Sequence, residues 1–256
     1  MRILIGNDDG LQSPGLALLA AAAQALASDI WTVVPDRKWT AASHRISFDC
    51  DLVLGRVAER VYECSGAPAD CVIAAMTILF AEGPKPDLVL AGVNDKRNVA
   101  EDIAYSGTMA VAREATFFGV PAIALSRATR WPDAPDEIAA LRRLLTALWE
   151  SRADWAASGH WLNIVLPDRL PAPIVQARVG NDKIAERCDV VDRSDDRIVF
   201  RLRRGRPGTT TRGDENAAVD AGSIALVRHA WHCEAPVSEL LVEHWNRAIG
   251  DDEAVA

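Results

Sequence analysis

The pattern that most restricts this chain lies in its first 35 residues. A short unbroken apolar run, "RILIG" (2–6), leads to an Ala/Leu-rich stretch, "SPGLALLAAAAQALA" (13–27), and then to a second apolar run, "IWTVVP" (30–35). The two runs have strand length and carry no polar face, so each is expected to be buried on both sides. The stretch between them is a predicted helix, with Ser13 as N-cap and Pro14 at the first helical position, where the missing N–H costs nothing. Strand, helix and strand in that order make a β–α–β unit with parallel strands.

The alternation continues. "PADCVIAAMTILFAEG" (68–83), "GTMAVAREATFFG" (107–119) and "APDEIAALRRLLTALWESR" (134–152) read as helices. "PDLVLAG" (86–92), "PAIALS" (121–126) and "WLNIVLP" (161–167) read as buried strands. "HRISFDCDLVLG" (44–55) alternates apolar and polar residues and is expected to be a half-buried strand, with "ERVYEC" (59–64) as its hairpin partner after Gly55. Beyond Pro167 the character changes. "RIVFRLR" and "SIALVRHAW" look like strands around a polar Gly/Thr-rich stretch, and "VSELLVEHWNRAIG" is a final helix with Ser238 as N-cap. The expected fold is α/β: a Rossmann-like parallel sheet with helices on both faces, plus a β-rich C-terminal extension and a terminal helix. Residues 1–170 would form the core. Residues 171–256 would form the extension, part of the same domain and used in oligomer contacts, with "GDDEAVA" at the end outside any packing pattern.

Bulk properties exclude some functions. The net charge of −8 argues against a partner such as duplex nucleic acid, which needs a basic footprint. The longest apolar stretch is broken by Gln24, Ser28 and Asp29, so no membrane partner is expected, and "ILIG" is too short for a secretory core. Five cysteines without C-x-x-C spacing are expected to be reduced core residues of a cytoplasmic protein.

Open parallel sheets bind ligands beyond the carboxyl ends of their strands. Asp8 and Asp9 follow the first strand, the loop "DRKWTAASH" (36–44) the second, "NDKRN" (94–98) the strand at 87–91, and Ser126-Arg127 the next. Two carboxylates, a hydroxyl from the second loop and Asn94 would then meet at one crevice. Such an all-oxygen set suits Mg²⁺, Mn²⁺ or Ca²⁺ better than Zn²⁺. Taken alone, Asp8-Asp9-Gly10 reads more readily as turn chemistry than as a metal site. Ser106, Gly107 and Thr108 precede an apolar helical run and are either an anion site at a helix N-terminus or an ordinary cap. His44 is either an acid for a leaving oxygen or a structural histidine, and Trp39 either stacks on a base or packs. No G-x-G-x-x-G follows the first strand, and neither a P-loop nor a G-x-S-x-G elbow is present.

"ILIGNDDGLQSPG", "VVPDRKWTAASH", "SGAPADCV", "PDLVLAGVNDKRNVAEDIAYSGTMAVARE" and "LNIVLP" occur in this order. Together they resemble the signature segments of the SurE family of metal-dependent 5′/3′-nucleotidases, over much of residues 1–167. The resemblance implies a Rossmann-like fold with a dimerisation extension, a homodimer or homotetramer, and one divalent cation, Mg²⁺ or Mn²⁺, with Ca²⁺ as a bound substitute. It implies hydrolysis of nucleoside monophosphates. By motif, the metal ligands would be Asp8, Asp9, Thr40 and Asn94, phosphate contacts would fall on Asn98, Ser106, Gly107 and Thr108, and catalysis would involve Asp8, Asp9 and Asn98. Thr40 stands where the family usually has Ser. Lys96 and Ala100 stand where its N-x-G-x-N-x-G loop has glycines, so a positive φ at either would strain the loop. The alternative function is a nucleotide-binding or regulatory homologue with weak or no hydrolysis.

Overall fold

The computed structural model describes residues 1–128, 135–181, 187–203 and 211–250. The opening unit is as the sequence predicts: β1 (Arg2–Gly6), α1 (Pro14–Ala23) and β2 (Asp29–Pro35), with β1 and β2 parallel and Arg2 level with Asp29. Ser13 holds the N-cap position with extended φ/ψ, yet its hydroxyl caps nothing. The first turn closes instead on its backbone carbonyl, which accepts from the Leu16 and Ala17 N–H groups.

β3 (Leu54–Ala58) and β4 (Val61–Cys64) form an antiparallel pair, followed by α2 (Pro68–Ala74), which runs into a π-helical turn at Ala75–Leu79. Then come β5 (Leu88–Asn94), α3 (Asp102–Tyr105), α4 (Gly107–Phe117), β6 (Ala122–Arg127), α5 (Pro135–Glu150), α6 (Arg152–Trp155) and β7 (His160–Leu166). The remainder is β8 (Ile174–Gln176), β9 (Cys188–Arg193), β10 (Ile198–Leu202), α7 (Glu215–Asp220), β11 (Ile224–Ala230) and α8 (Glu239–Gly250). Nine strands make one sheet in the order β3-β4-β2-β1-β5-β6-β7-β11-β8, and β9 and β10 make a separate antiparallel hairpin. From β4 to β7 every neighbour is parallel. β11 runs antiparallel to β7, so part of the extension completes the main sheet.

Both faces of the sheet are covered. Ile3 and Ile5 of β1 point to one face, where they pack with Leu16 and Leu19 of α1 and Leu141 and Leu145 of α5. Leu4 points to the other and packs with Cys71 of α2 and Met109, Val111 and Ala115 of α4. This alternation is why the strands read as continuous apolar runs.

Three expectations need correction. Residues 44–53 form no strand, and Phe48, Leu52 and Val53 are exposed. The backbone there takes positive φ at Ser43 and Asp49, which interrupts an extended path. Ser47 also gives its N–H (3.0 Å) and hydroxyl (2.8 Å) to Asp70 rather than to a ladder. Gly55 accordingly lies inside β3, and the chain reverses at Glu59-Arg60. Of the five cysteines, all free thiols, only Cys64 and Cys71 are buried; Cys50, Cys188 and Cys233 are exposed. The expectation for "GDDEAVA" (250–256) falls outside the described residues beyond Gly250, which ends α8; of the polar Gly/Thr-rich stretch (203–222), residues 204–210 lie outside them, and 215–220 form α7.

Candidate active site

β1 lies between β2 and β5, so the loops after these three strands converge. They line a cavity of about 640 Å³, whose walls include Asp8, Asp9, Thr40, Asn94, Asn98 and Ser106. The four oxygen donors expected after three different strands are therefore in one crevice. Asn7 forms the turn that delivers the acids: its side chain bonds the Gly10 carbonyl (2.9 Å) and accepts from the Gly10 N–H (3.1 Å).

Asp8 is buried, and its Oδ1 accepts from the Thr108 hydroxyl at 2.6 Å. Burial, with the adjacent Asp9 charge, pushes its carboxyl from 3.8 up to about 6, against the opposing pull of the Thr108 bond. Asp9 forms an ion pair with Lys38 through Oδ1, while its Oδ2 is buried without a partner. The bond to Asp9 holds the Lys38 ammonium above the ordinary lysine range. Asn94 uses its amide nitrogen internally, on the Lys96 carbonyl (2.7 Å) and at longer range on Asn98 Oδ1 (3.4 Å). Thr40 is exposed at the cavity wall.

Asn98 is almost fully buried and held from three sides. Its N–H donates to Ser126 Oγ (3.0 Å), its carbonyl accepts from Asn163 Nδ2 (2.9 Å), and its Oδ1 meets Asn94. Its own Nδ2 has no partner. Ser106 caps α4, its Oγ accepting from the Met109 N–H (3.1 Å), and also lines the cavity. Gly107 and Thr108 lie behind the wall. A Cβ on Gly107 would sit 2.6 Å from Asp8 Cβ, so glycine here lets the helix approach the acid. The Thr108 hydroxyl is committed to Asp8.

Sequence reasoning missed several members. Arg127 is fully buried at the end of β6 and pairs with Asp95 (2.8 Å), bracing the 94–98 loop. Ser126 and Asn163 fix Asn98, and Lys38 meets Asp9. Ser126-Arg127 was visible as a strand-end pair; Asn163 looks from the sequence like one more buried strand residue. His44 is not in the cavity wall: its Nε2 meets Glu114 Oε2 at 2.7 Å and its ring stacks on Phe117. Trp39 is also outside the wall, flanked by the guanidinium groups of Arg37 and Arg45 at 4.7 and 5.3 Å. Ala100 has φ +50°, so replacement of the glycine expected there does strain the loop, whereas Lys96 has no positive φ. Ala41, next to Thr40, is likewise at φ +56°.

Among the described residues there is no cluster of three or more His, Cys, Asp or Glu side chains that could hold a metal ion. The donors here are two carboxylates, a hydroxyl and an amide, a set for hard cations. The buried, unpartnered Asp9 Oδ2 beside the crowded Asp8 fits such a cation.

Fold and crevice together define a Rossmann-like α/β protein with a ligand cleft, lined by both acids and bases, at the carboxyl ends of its central strands. A family model described as "Survival protein SurE" matches residues 3–186. The chain belongs to the SurE family. It is 36% identical over 234 residues to the 5′-nucleotidase SurE of Azorhizobium caulinodans, covering 88% of this chain and 91% of that protein. It is also 36% identical over 210 residues to the 5′-nucleotidase SurE of Paramagnetospirillum magneticum, covering 77% and 76%. The fold is similar to the crystal structure of the SurE protein from Aquifex aeolicus, with TM-score 0.74 and 24% identity over 98% of this chain and all of that one.

Proposed function

We propose that this chain is a divalent-metal-dependent phosphomonoesterase acting on nucleoside monophosphates, as the names of its relatives would have it. The observation that carries this reading is a pair of unmatched atoms in one crevice. Asp9 Oδ2 is a buried acceptor that wants a cation, and Asn98 Nδ2 is a buried donor that wants an anionic oxygen. A phosphoryl group with its counter-ion answers both.

Asp8, Asp9, Thr40 and Asn94 would hold Mg²⁺ or Mn²⁺, with Ca²⁺ as a substitute. When bound, the cation supplies charge stabilisation to the phosphoryl group and acidifies a water. Asn98 donates to a phosphoryl oxygen, and the Ser106 turn at the start of α4 presents further donors. The Asp8–Asp9 pair accepts the proton of the attacking water. Lys96 also lines the crevice and favours an anionic ligand in an otherwise acidic protein, whereas Arg97 beside it is paired with Asp220 (2.7 Å).

The test is phosphate release from AMP and a chromogenic phosphomonoester with Mg²⁺, Mn²⁺ or no added metal. Turnover is expected to vanish on chelation, return with metal, and fall at least about 10³-fold in Asp9→Asn. Undiminished turnover in the chelated protein would overturn the mechanism. The Lys38–Asp9 ion pair favours a second reading, in which the ammonium permanently neutralises Asp9 and the chain binds nucleotide without hydrolysing it. Saturable AMP binding with no phosphate release under any metal would select that reading.

We further infer a homodimer or homotetramer, with residues 171–256 belonging to the same domain as the core and supplying the contacts. Apolar exposure supports this: Val190, Val191, Ile198 and Phe200 on the β9–β10 hairpin and Leu240 and Trp245 on α8 face outward. Five free thiols fit a reducing cytoplasm. No described helix is long and apolar enough to cross a membrane.

A further inference from the structure

A second cavity, of about 340 Å³, lies between α4, β7 and β11 and shares no wall residue with the first. It is lined by Ile103, Arg113, Phe117, Trp161, His229 and Trp231, with Ala230 between the last two. Its size is at the small end of ligand pockets, which run from about 300 to 1,000 Å³.

The walls are flat rings. His229 stacks on Trp161, with ring centres 5.2 Å apart and planes 20° apart, and Trp231 meets Phe117 edge-on at 5.4 Å. Two of its polar nitrogens have no partner. Trp161 is 2% exposed and its Nε1–H has no partner. His229 Nε2 is buried and unpartnered as well. Arg113 lies over the Trp161 ring at 5.3 Å, and no carboxylate among the described residues pairs with it. Glu114, its neighbour in the chain, is taken by His44, whose Nδ1 is 3.5 Å from Arg113 Nη1. A half-buried guanidinium with no carboxylate and an orphaned indole N–H are costly to keep, and both costs fall when an anionic acceptor arrives. Burial lowers the basicity of Arg113, and burial with the Arg113 charge holds His229 down to about 4, so Arg113 carries the positive charge of this pocket.

We propose that this pocket is a second ligand site, for a small planar monoanion of the aromatic carboxylate class, separate from the catalytic crevice. One unpaired cation sets the charge at minus one. The Arg113 guanidinium and the unpartnered Trp161 N–H suit a carboxylate's two acceptor oxygens, and the ring walls suit a flat apolar body. The crevice chemistry is not needed for this binding, so the site stands or falls independently of the proposed hydrolysis.

The test titrates benzoate into the whole protein, read by tryptophan fluorescence and by saturation-transfer NMR. Inorganic phosphate is the charge-only control and benzyl alcohol the ring-only control. Benzoate is expected to bind saturably, with both controls at least about ten-fold weaker. Arg113→Met should weaken benzoate about ten-fold or more, and Trp161→Phe, which keeps a ring but loses the N–H, a few-fold. The melting midpoint of each variant reports whether it folds, and Trp161→Phe keeps the question open to test if Arg113→Met does not. Four results would overturn the proposal: no saturable benzoate binding, phosphate binding as tightly as benzoate, benzoate affinity unmoved by both substitutions, or light scattering showing that a second copy of the chain covers Trp231 and excludes benzoate.

Discussion

Thr108 sets how Asp8 is presented. Its hydroxyl, with no solvent exposure, donates to Asp8 Oδ1 at 2.6 Å and so leaves the second carboxylate oxygen toward the crevice. Thr108→Val keeps the shape and removes the bond. Mn²⁺ affinity, followed by calorimetry or electron paramagnetic resonance, is expected to drop about ten-fold, as when outer partners of metal ligands are removed. An unchanged affinity would mean that Asp8 needs no orienting bond. His229 governs a different property. Its folded value of about 4 lies below the unfolded 6.5, so the unfolded chain takes up the proton first. Its contribution is therefore complete above pH 6.5 and is lost as pH falls through the window down to about 4. Part exposure of the ring limits the loss to about 1–3 kcal/mol. Urea melts at pH 7 and 4.5 should show it, and His229→Gln should flatten that part of the slope. At this scale the acids, Asn94 and a hydroxyl-bearing second loop could be placed at one sheet end from the sequence, because strand ends can be located from apolar runs; Thr40 itself is singled out by the family resemblance. The roles of Asn163 and Lys38 were not legible, because nothing in a linear pattern says that a buried amide on β7 reaches Asn98, or that a loop lysine folds back on Asp9.

The elements hold the crevice through close approaches. α1 packs on β5 at Gly15, where a Cβ would lie 1.9 Å from the Val93 carbonyl oxygen. Gly15→Ala cannot be relieved by a rotamer change, since backbone meets backbone. It should cost about 3 kcal/mol or more in a urea melt, beyond ordinary overpacking. A cost below about 1 kcal/mol would show that α1 can slide on the sheet. The strands that carry the site are short apolar runs and could be read directly. The expected strand at 44–55 was wrong because alternation is a statement about faces, and a loop tied to Asp70 can carry the same alternation with no sheet beside it. The two alanines at positive φ belong to this scale too: the family's glycine pattern pointed to Ala100, and only the backbone path separated it from Lys96.

Across the whole molecule, the β9–β10 hairpin stands apart from the nine-stranded sheet and exposes Phe200 among branched aliphatic residues. If the hairpin supplies oligomer contacts, Phe200→Asp should lower the solution mass by light scattering, with the melting midpoint of the core little changed. A mass unmoved by this change would remove the hairpin from the interface. The sequence by itself determined the layered α/β build, the order of its five buried strands and the sheet end at which oxygen donors gather, because burial on both faces leaves an unbroken apolar signature and chain order places the loops. The tertiary structure alone decided which donors are already satisfied and which are left over: Thr108 spent on Asp8, His44 on Glu114, but Asp9 Oδ2, Asn98 Nδ2 and the Trp161 N–H on nothing. Hydrogen-bond satisfaction is a property of distances between residues far apart in the chain, and no local pattern carries it.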